Sequence, residues 1–412
     1  MRLPPRWVIA VSIAVAASIL GDSLLYAVLP TTYDDLGLQA FMVGILLSAN
    51  RFVRLLTNTL AGWTMARKGV RGPFLTAVFI AALTTALYAS GLGFAVFLIA
   101  RLGWGLCWSF LRLGGYLAAL EAADDRSRGY YLGFFSGVTR FGSFVAALVG
   151  GFMTDLIGFT TTIVAFTVLT IIGGLGVIRE RPPRVSTDLV SRPDAKPLQP
   201  EALAEDAMRD RLWIVYVMVL LQAMAVQGLV TSTLGSWLQD NYGDDISLAF
   251  ITIGVASLTG TLLSVRFLSE FLWGPVAGHL SDRHGRVRLL LIAGGIEIAG
   301  LIGLAIAPGV WAVIGMSIVL FLSATAAKVT LDALAGDLAP PDRRSQTMST
   351  YATWSDLGSA AGPLIGWIIG IGIGLNWMYL GSATTLAIIG SLFLITFGRQ
   401  GSLATGPQNG HA

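Results

Sequence analysis

Apolar residues in this chain fall into long uninterrupted runs, and the polar residues between them into short ones. A run of ~20 apolar residues is enough for a helix to cross a bilayer. Read by that rule, the sequence predicts twelve spans, at 7–29, 39–61, 74–92, 94–119, 130–153, 159–178, 212–237, 248–275, 288–307, 309–335, 346–370 and 376–397. The first run, Trp7 to Leu29, is too long for a signal-peptide core, so it reads as a retained helix. One long polar segment interrupts the series. Residues 179–211 hold Arg179, Glu180, Arg181, Pro182, Pro183 and Arg184, then Pro193, Pro197 and Pro200. They predict a linker, with a short surface helix over 201–210. The chain thus divides into a six-helix half over 1–178, the linker 179–211, a second six-helix half over 212–398, and a polar tail over 399–412.

The charges between spans orient the array. Seven of the 27 Lys and Arg lie inside spans, and the other twenty all fall at the amino end, in alternate loops starting with the second, or in the tail. The remaining loops carry none, though they hold Asp34, Asp35, Asp155, Asp240, Asp244 and Asp245. Basic loops stay on the cytoplasmic side. Both termini and the linker are therefore expected in the cytoplasm, in a plasma membrane of the bacterial inner type.

The two halves are related by one offset. Gly278-His279-Leu280-Ser281-Asp282-Arg283-His284-Gly285-Arg286 lies 216 positions after Gly62-Trp63-Thr64-Met65-Ala66-Arg67-Lys68-Gly69. Both glycines and the first arginine return, while Ala66 stands opposite Asp282. The same offset relates Gly44, Leu46, Leu47 and Ser48 to Gly260, Leu262, Leu263 and Ser264, and Arg112 to Lys328. An offset that persists without gaps argues for a duplicated unit and two pseudo-symmetric halves.

The pattern Gly278-x-x-x-Asp282-Arg283-x-Gly285-Arg286 resembles the loop signature of the major facilitator superfamily of transporters. Arg101 and Gly105 at the start of the fourth span resemble the R-x-x-x-G signature found there in proton-coupled members. Gly362-Pro363 and Gly366 are similar to an antiporter motif, but they stand in span eleven instead of span five. The resemblance covers almost the whole chain. It implies an all-α membrane protein of twelve helices in two pseudo-symmetric six-helix halves with a central site between them. It also implies that Asp282 braces a cytoplasmic gate against the amino end of span five, which Ala66 cannot do in the first half.

Composition agrees with a polytopic membrane protein. The chain is 54% hydrophobic and only 12% charged, with a mean hydropathy of +0.72, where a soluble domain carries about twice that charge. The net charge of +3 is small and gives no reason to expect a nucleic-acid partner. Cys107 is the single cysteine, and His279, His284 and His411 lie in a loop and the tail. A disulfide framework and an intramembrane histidine metal site are therefore not expected, nor is any cofactor.

Ionisable residues inside spans are costly and usually functional. Twelve are expected there: Arg51, Arg54, Arg101, Arg112, Arg140, Arg266, Lys328, Asp22, Glu270, Glu297, Asp332 and Asp356. Arg51, Arg54 and Asn58 share one helical face, which must look at a pathway or the other half. Arg101 either takes part in proton coupling and packing or snorkels to the interface. Arg112 and Lys328 are repeat counterparts on spans that line the central cavity in the fold the chain resembles. They favour an anionic substrate, unless each pairs with an acid such as Asp332, one turn after Lys328. Asp22 is either a protonation site or a hydrogen-bonding residue. Glu297 is expected to have a structural or lipid-shielded role.

The offset makes a sharper expectation. Arg54 corresponds to Glu270 and Arg140 to Asp356, so each repeat position carries opposite charge in the two halves. In the superfamily span two lies against span eleven and span five against span eight. Two cross-half pairs are expected, Arg54 (or Arg51, one turn deeper) with Asp356 and Arg140 with Glu270, placed to close an inner gate, unless each charge bonds within its own half, as Glu270 could with Arg266 one turn away.

No nucleotide-binding loop, nucleophile elbow or zinc-protease motif is present, which argues against an ATP-driven pump or an enzyme. The expected function is secondary, proton-driven transport of a small molecule by a monomer in the lipid bilayer. A drug-type exporter and a permease for an anionic metabolite or metal chelate both fit, as does a non-transporting receptor or assembly factor on the same scaffold.

Overall fold

The computed structural model of the protein describes residues 4–123, 127–180, 202–248, 251–340 and 343–398. The tail 399–412 and most of the linker lie outside the described residues. Twelve long helices run through it: α1 (Arg6–Thr32), α2 (Ala40–Lys68), α3 (Arg71–Tyr88), α4 (Phe94–Glu121), α5 (Arg128–Ile157), α6 (Phe159–Arg179), α7, α8 (Val255–His284), α9 (Arg286–Ala305), α10 (Val310–Leu338), α11 (Arg344–Ile368) and α12 (Leu375–Gly398). Helix α7 starts at Ala202, passes through a π-helical stretch at Ala223–Val230, and ends as Thr231–Tyr242. Within lipid a chain must satisfy its backbone groups internally, and the helix does so.

Eleven of the twelve are long and apolar enough to cross a membrane. Helix α11 misses that mark because its first half is polar, with Thr347, Ser349, Thr350, Thr353, Ser355 and Asp356. A helix of that composition faces protein and water instead of acyl chains. The expected span boundaries shift in two places. Two short strands, β1 (Asp245–Leu248) and β2 (Ile251–Gly254), pair antiparallel, so the eighth span starts at Val255 and not at 248. Helix α8 also continues through the loop signature to His284, so Gly278 is helical. Only Gly285 there takes a left-handed conformation, with φ of 90°, as its repeat counterpart Gly69 does at 75°. Each glycine ends a helix and turns the chain directly into the next.

Helices α1 to α6 pack on one another as one half and α7 to α12 as the other, with α5 against α8 and α2 against α11 across the interface. The packing differs between the two faces of the bundle. On the face away from both termini a single hydrophobic core joins the halves, running from Leu24, Leu47 and Ala147 to Leu229, Leu263 and Trp367. On the face of the termini there are two separate cores. One lies within the first half around Trp7, Phe74 and Trp104, the other within the second around Val219, Leu290 and Phe393.

The far face is sealed by backbone-close contacts between halves. A methyl group on Gly260 would overlap the Ala147 carbonyl, and one on Gly151 would come within 2.6 Å of the Ala256 oxygen. Gly44 lies under Trp367 and Pro363 in the same way. Small residues at such crossings let helices approach where no hydrophobic force between them exists in lipid. Beside them Asp155 accepts from the Ser257 amide at 2.8 Å and its hydroxyl at 2.5 Å. The near face has no equivalent seal among the described residues, and the halves diverge toward it like a wedge.

Candidate functional site

The wedge encloses a cavity of about 450 Å³ lined by α1, α2, α4, α5, α7, α8, α10 and α11. Its wall is unusually charged for a membrane interior. Helical spacing places Arg51 and Arg54 on one face of α2, Arg266 and Glu270 on one face of α8, and Lys328 and Asp332 on one face of α10. Glu270 lies in the adjoining part of the cavity.

The pairs expected from the repeat offset lie side by side here. Arg54 is 3.7 Å from Asp356, and Arg140 is 2.8 Å from Glu270. Glu270 is shared, because Arg266 also reaches it at 3.3 Å. Lys328 holds both oxygens of Asp332 at 3.0 Å, and Tyr351 donates to that carboxylate at 2.7 Å. Both pairs are made in a conformation whose halves share one core on the far face and keep separate cores on the near face.

Arg101 and Asp22 form a second, deeper cluster. Arg101 is fully buried, which removes the snorkelling alternative, since its position one to two turns into α4 points it across to α1 and α2 and not to the surface. Its Nη1 lies 2.5 Å from Asp22, and its Nε donates to the Leu46 carbonyl at 2.8 Å. Asn50 donates to the same Asp22 oxygen at 2.8 Å. Gly105 makes this possible, because a side chain there would collide with the Asn50 backbone and push α4 off α2. Asp22 reaches the cavity wall while Arg101 stands behind it.

Arg51 carries a contact that the charge pattern alone did not reveal. Its Nη1 donates to the Ser359 carbonyl at 2.8 Å and the Gln227 carbonyl at 3.2 Å, both in the other half, and its Nε donates to the Tyr26 hydroxyl at 3.0 Å. Ser359 stands four residues before Pro363 in α11. Proline has no N–H, so that carbonyl lacks its helical donor. Gln227 lies in the π-helical stretch of α7, where the ladder is likewise irregular. Pro363 was the available signal, since it marks Ser359 as an acceptor seeking a partner. Tyr26, Gln227 and Tyr351 line the site and were not singled out by sequence.

The loop signature lies outside the cavity. Asp282 is 65% exposed and its one ion pair among the described residues is with Arg286 at 3.0 Å, one turn on. Arg286 also binds Asp337 at the end of α10. Among the described residues no bond joins Asp282 to the amino end of α5. Arg283 is exposed. Glu297 is buried on α9 beside Gln222 of α7, which itself donates to the Ala324 carbonyl at 3.1 Å, so it is shielded by protein and not by lipid.

Two six-helix halves around a charged cavity, sealed on one face and open on the other, define a membrane transporter of the secondary type. The model of the Major Facilitator Superfamily matches residues 11–272 and 256–410, and the chain belongs to that superfamily. It is similar to Multidrug resistance protein MdtG of Proteus mirabilis (strain HI4320), at 24% identity over 376 residues covering 89% of each chain. It is also similar to Quinolone resistance protein NorA of Staphylococcus aureus (strain MRSA252), at 22% identity over 84% of this chain and 85% of that one. Among solved structures, the nucleoside transporter NupG aligns with a TM-score of 0.73 at 13% identity, over 94% of this chain and 99% of that one. The bacterial homologue of the human lysosomal transporter Spinster, inward-facing and occupied, aligns at 0.75 and 14% identity over 94% of this chain and 96% of that one. These are transporters and not enzymes.

Proposed function

We propose that the protein carries a small polar solute across the bacterial inner membrane by alternating access, as a monomer driven by protons, with both termini cytoplasmic. The observation that carries this reading is the wedge, one core shared by both halves on the far face and two separate cores on the near face. Rigid rocking of one half against the other is the simplest motion open to such a bundle. With twenty basic residues on the face of the termini, the conformation described is the inward-facing one.

Proton coupling is supported by the position of Asp356 and Glu270. Each pairs across the halves, so protonating either would weaken a contact that exists in one state and shift the balance toward the other. Asp22 is matched inside its own half by Arg101, and its protonation would not act on the interface directly.

Alternating access is tested with spin labels on a Cys107→Ser background. One labelled pair replaces Tyr130 and His279 on the near face, the other Leu156 and Ile251 on the far face. On acidification the near-face distance should shorten as the far-face distance lengthens. Distances that ignore pH, or that are equally responsive in Asp356→Asn with Glu270→Gln, would refute proton coupling through these acids. Reporter fusions after Gly158 and after Arg211 should report opposite sides of the membrane. The same side for both would overturn the orientation.

A further inference from the structure

The cavity wall is more positive than negative. Arg51, Arg54, Arg112, Arg140, Arg266 and Lys328 reach it. Only Asp356, Asp332 and Glu270 answer them, since Asp22 is matched by Arg101 behind the wall. The surplus is concentrated at three places. Arg140 and Arg266 share one carboxylate. Arg51 donates only to neutral oxygens. Arg112 is half-buried and has no hydrogen-bond or ion-pair partner among the described residues. The cluster is continuous, with Arg51 and Arg112 as charged neighbours of Arg54, and Arg51 and Arg140 as charged neighbours of Arg266. Like charges gathered in a site of reduced dielectric repel one another, and an entering anion relieves that repulsion.

We propose that the cavity takes a small organic anion bearing a carboxylate or phosphate group, met by Arg112 from the first half and by Arg266 from the second. The proposal rests on the transport reading above and adds the substrate class to it. A guanidinium offers a planar pair of donors that fits either group in two-point fashion. Arg112 stands ready for such a bond because it has no partner to release. Arg266 has only half a carboxylate, so an anion competes with Glu270 for it. An anion held between the halves binds one arrangement of them better than the other, as a carried substrate must. A lipophilic cation meets the same wall as a barrier.

The test is thermal shift and titration calorimetry on the full chain in detergent, with citrate, phenyl phosphate and tetraphenylphosphonium as probes. At least one of the two anions should raise Tm and bind, and which one does so separates carboxylate from phosphate. Tetraphenylphosphonium should do neither. Arg112→Gln should weaken anion binding by ~10-fold or more, with Arg112→Lys losing less. The Tm of Arg112→Gln without ligand should not fall, because Arg112 makes no bond among the described residues. No anion binding at millimolar concentration, preferential binding of tetraphenylphosphonium, or full affinity in Arg112→Gln would each overturn the proposal. Binding needs no flux, so the two readings fail separately. Anion binding without flux in proteoliposomes removes transport and leaves the site, and flux of the cation alone does the reverse.

Discussion

Arg51 offers the most direct measurement of what holds the conformation with the sealed far face together. The perturbation is Arg51→Met, which keeps much of the side-chain volume and removes every donor. Its Nη1 supplies the Ser359 carbonyl, at 2.8 Å, with the hydrogen that Pro363 cannot give, and the contact crosses the halves. A hydrogen bond from a charged donor contributes about 1.5–3 kcal/mol. Lost from one state of a two-state equilibrium, that is roughly a 10- to 150-fold change in the conformer ratio. The assay is the distance distribution between labels at Leu156 and Ile251, read as the fraction with an open far face. Pro363→Ala provides an internal control. Alanine restores an N–H four residues after Ser359, so the carbonyl no longer depends on Arg51. Arg51→Met should then shift the ratio less in the Pro363→Ala background than in the parent, by a coupling of ~1 kcal/mol or more. An unchanged ratio in Arg51→Met, or equal shifts in both backgrounds, would refute the reasoning.

Other outcomes follow from the same geometry. Asp22→Asn leaves the fully buried Arg101 without its counter-charge and should destabilise the protein by ~3–5 kcal/mol, while Asp22→Leu combined with Arg101→Met should recover most of it. Thermal unfolding in detergent reads this directly, and an Asp22→Asn variant as stable as the parent would count against the cluster. Arg54→Asp and Asp356→Arg should each abolish flux in proteoliposomes and the double variant should regain part of it, whereas a double variant no better than either single one would exclude the pairing. Asp282→Asn removes only an exposed pair and should change stability by less than ~1 kcal/mol. Its flux should nonetheless fall strongly at equal expression, because the loop signature implies a brace from Asp282 to the amino end of α5, and unchanged flux would eliminate that role.

Much of this architecture was already legible in the one-dimensional pattern. Lipid imposes a length on every span and forbids unpaired backbone, so apolar runs translate almost directly into helices, and alternate loop charges into an expected orientation. The duplication carried further, because Arg54 and Glu270, like Arg140 and Asp356, occupy equivalent places with opposite charge, and pseudo-symmetry then sets them across from one another. The sequence had no means of showing which conformation makes those pairs. That depends on how the far-face glycines and Trp367 close while the near face stays apart, a property of two rigid halves and not of any local segment. Nor could it separate a snorkelling Arg101 from a buried one. The choice rests on Gly105 admitting the Asn50 backbone, so that three helices converge on one carboxylate. The identity of Arg112 as a cation without a partner is likewise a tertiary fact. Lys328 finds Asp332 one turn away on its own helix, but Arg112 has no such partner among the described residues. Local spacing sets the pairs within a helix, and only the packing of helices decides which charges are left for a solute.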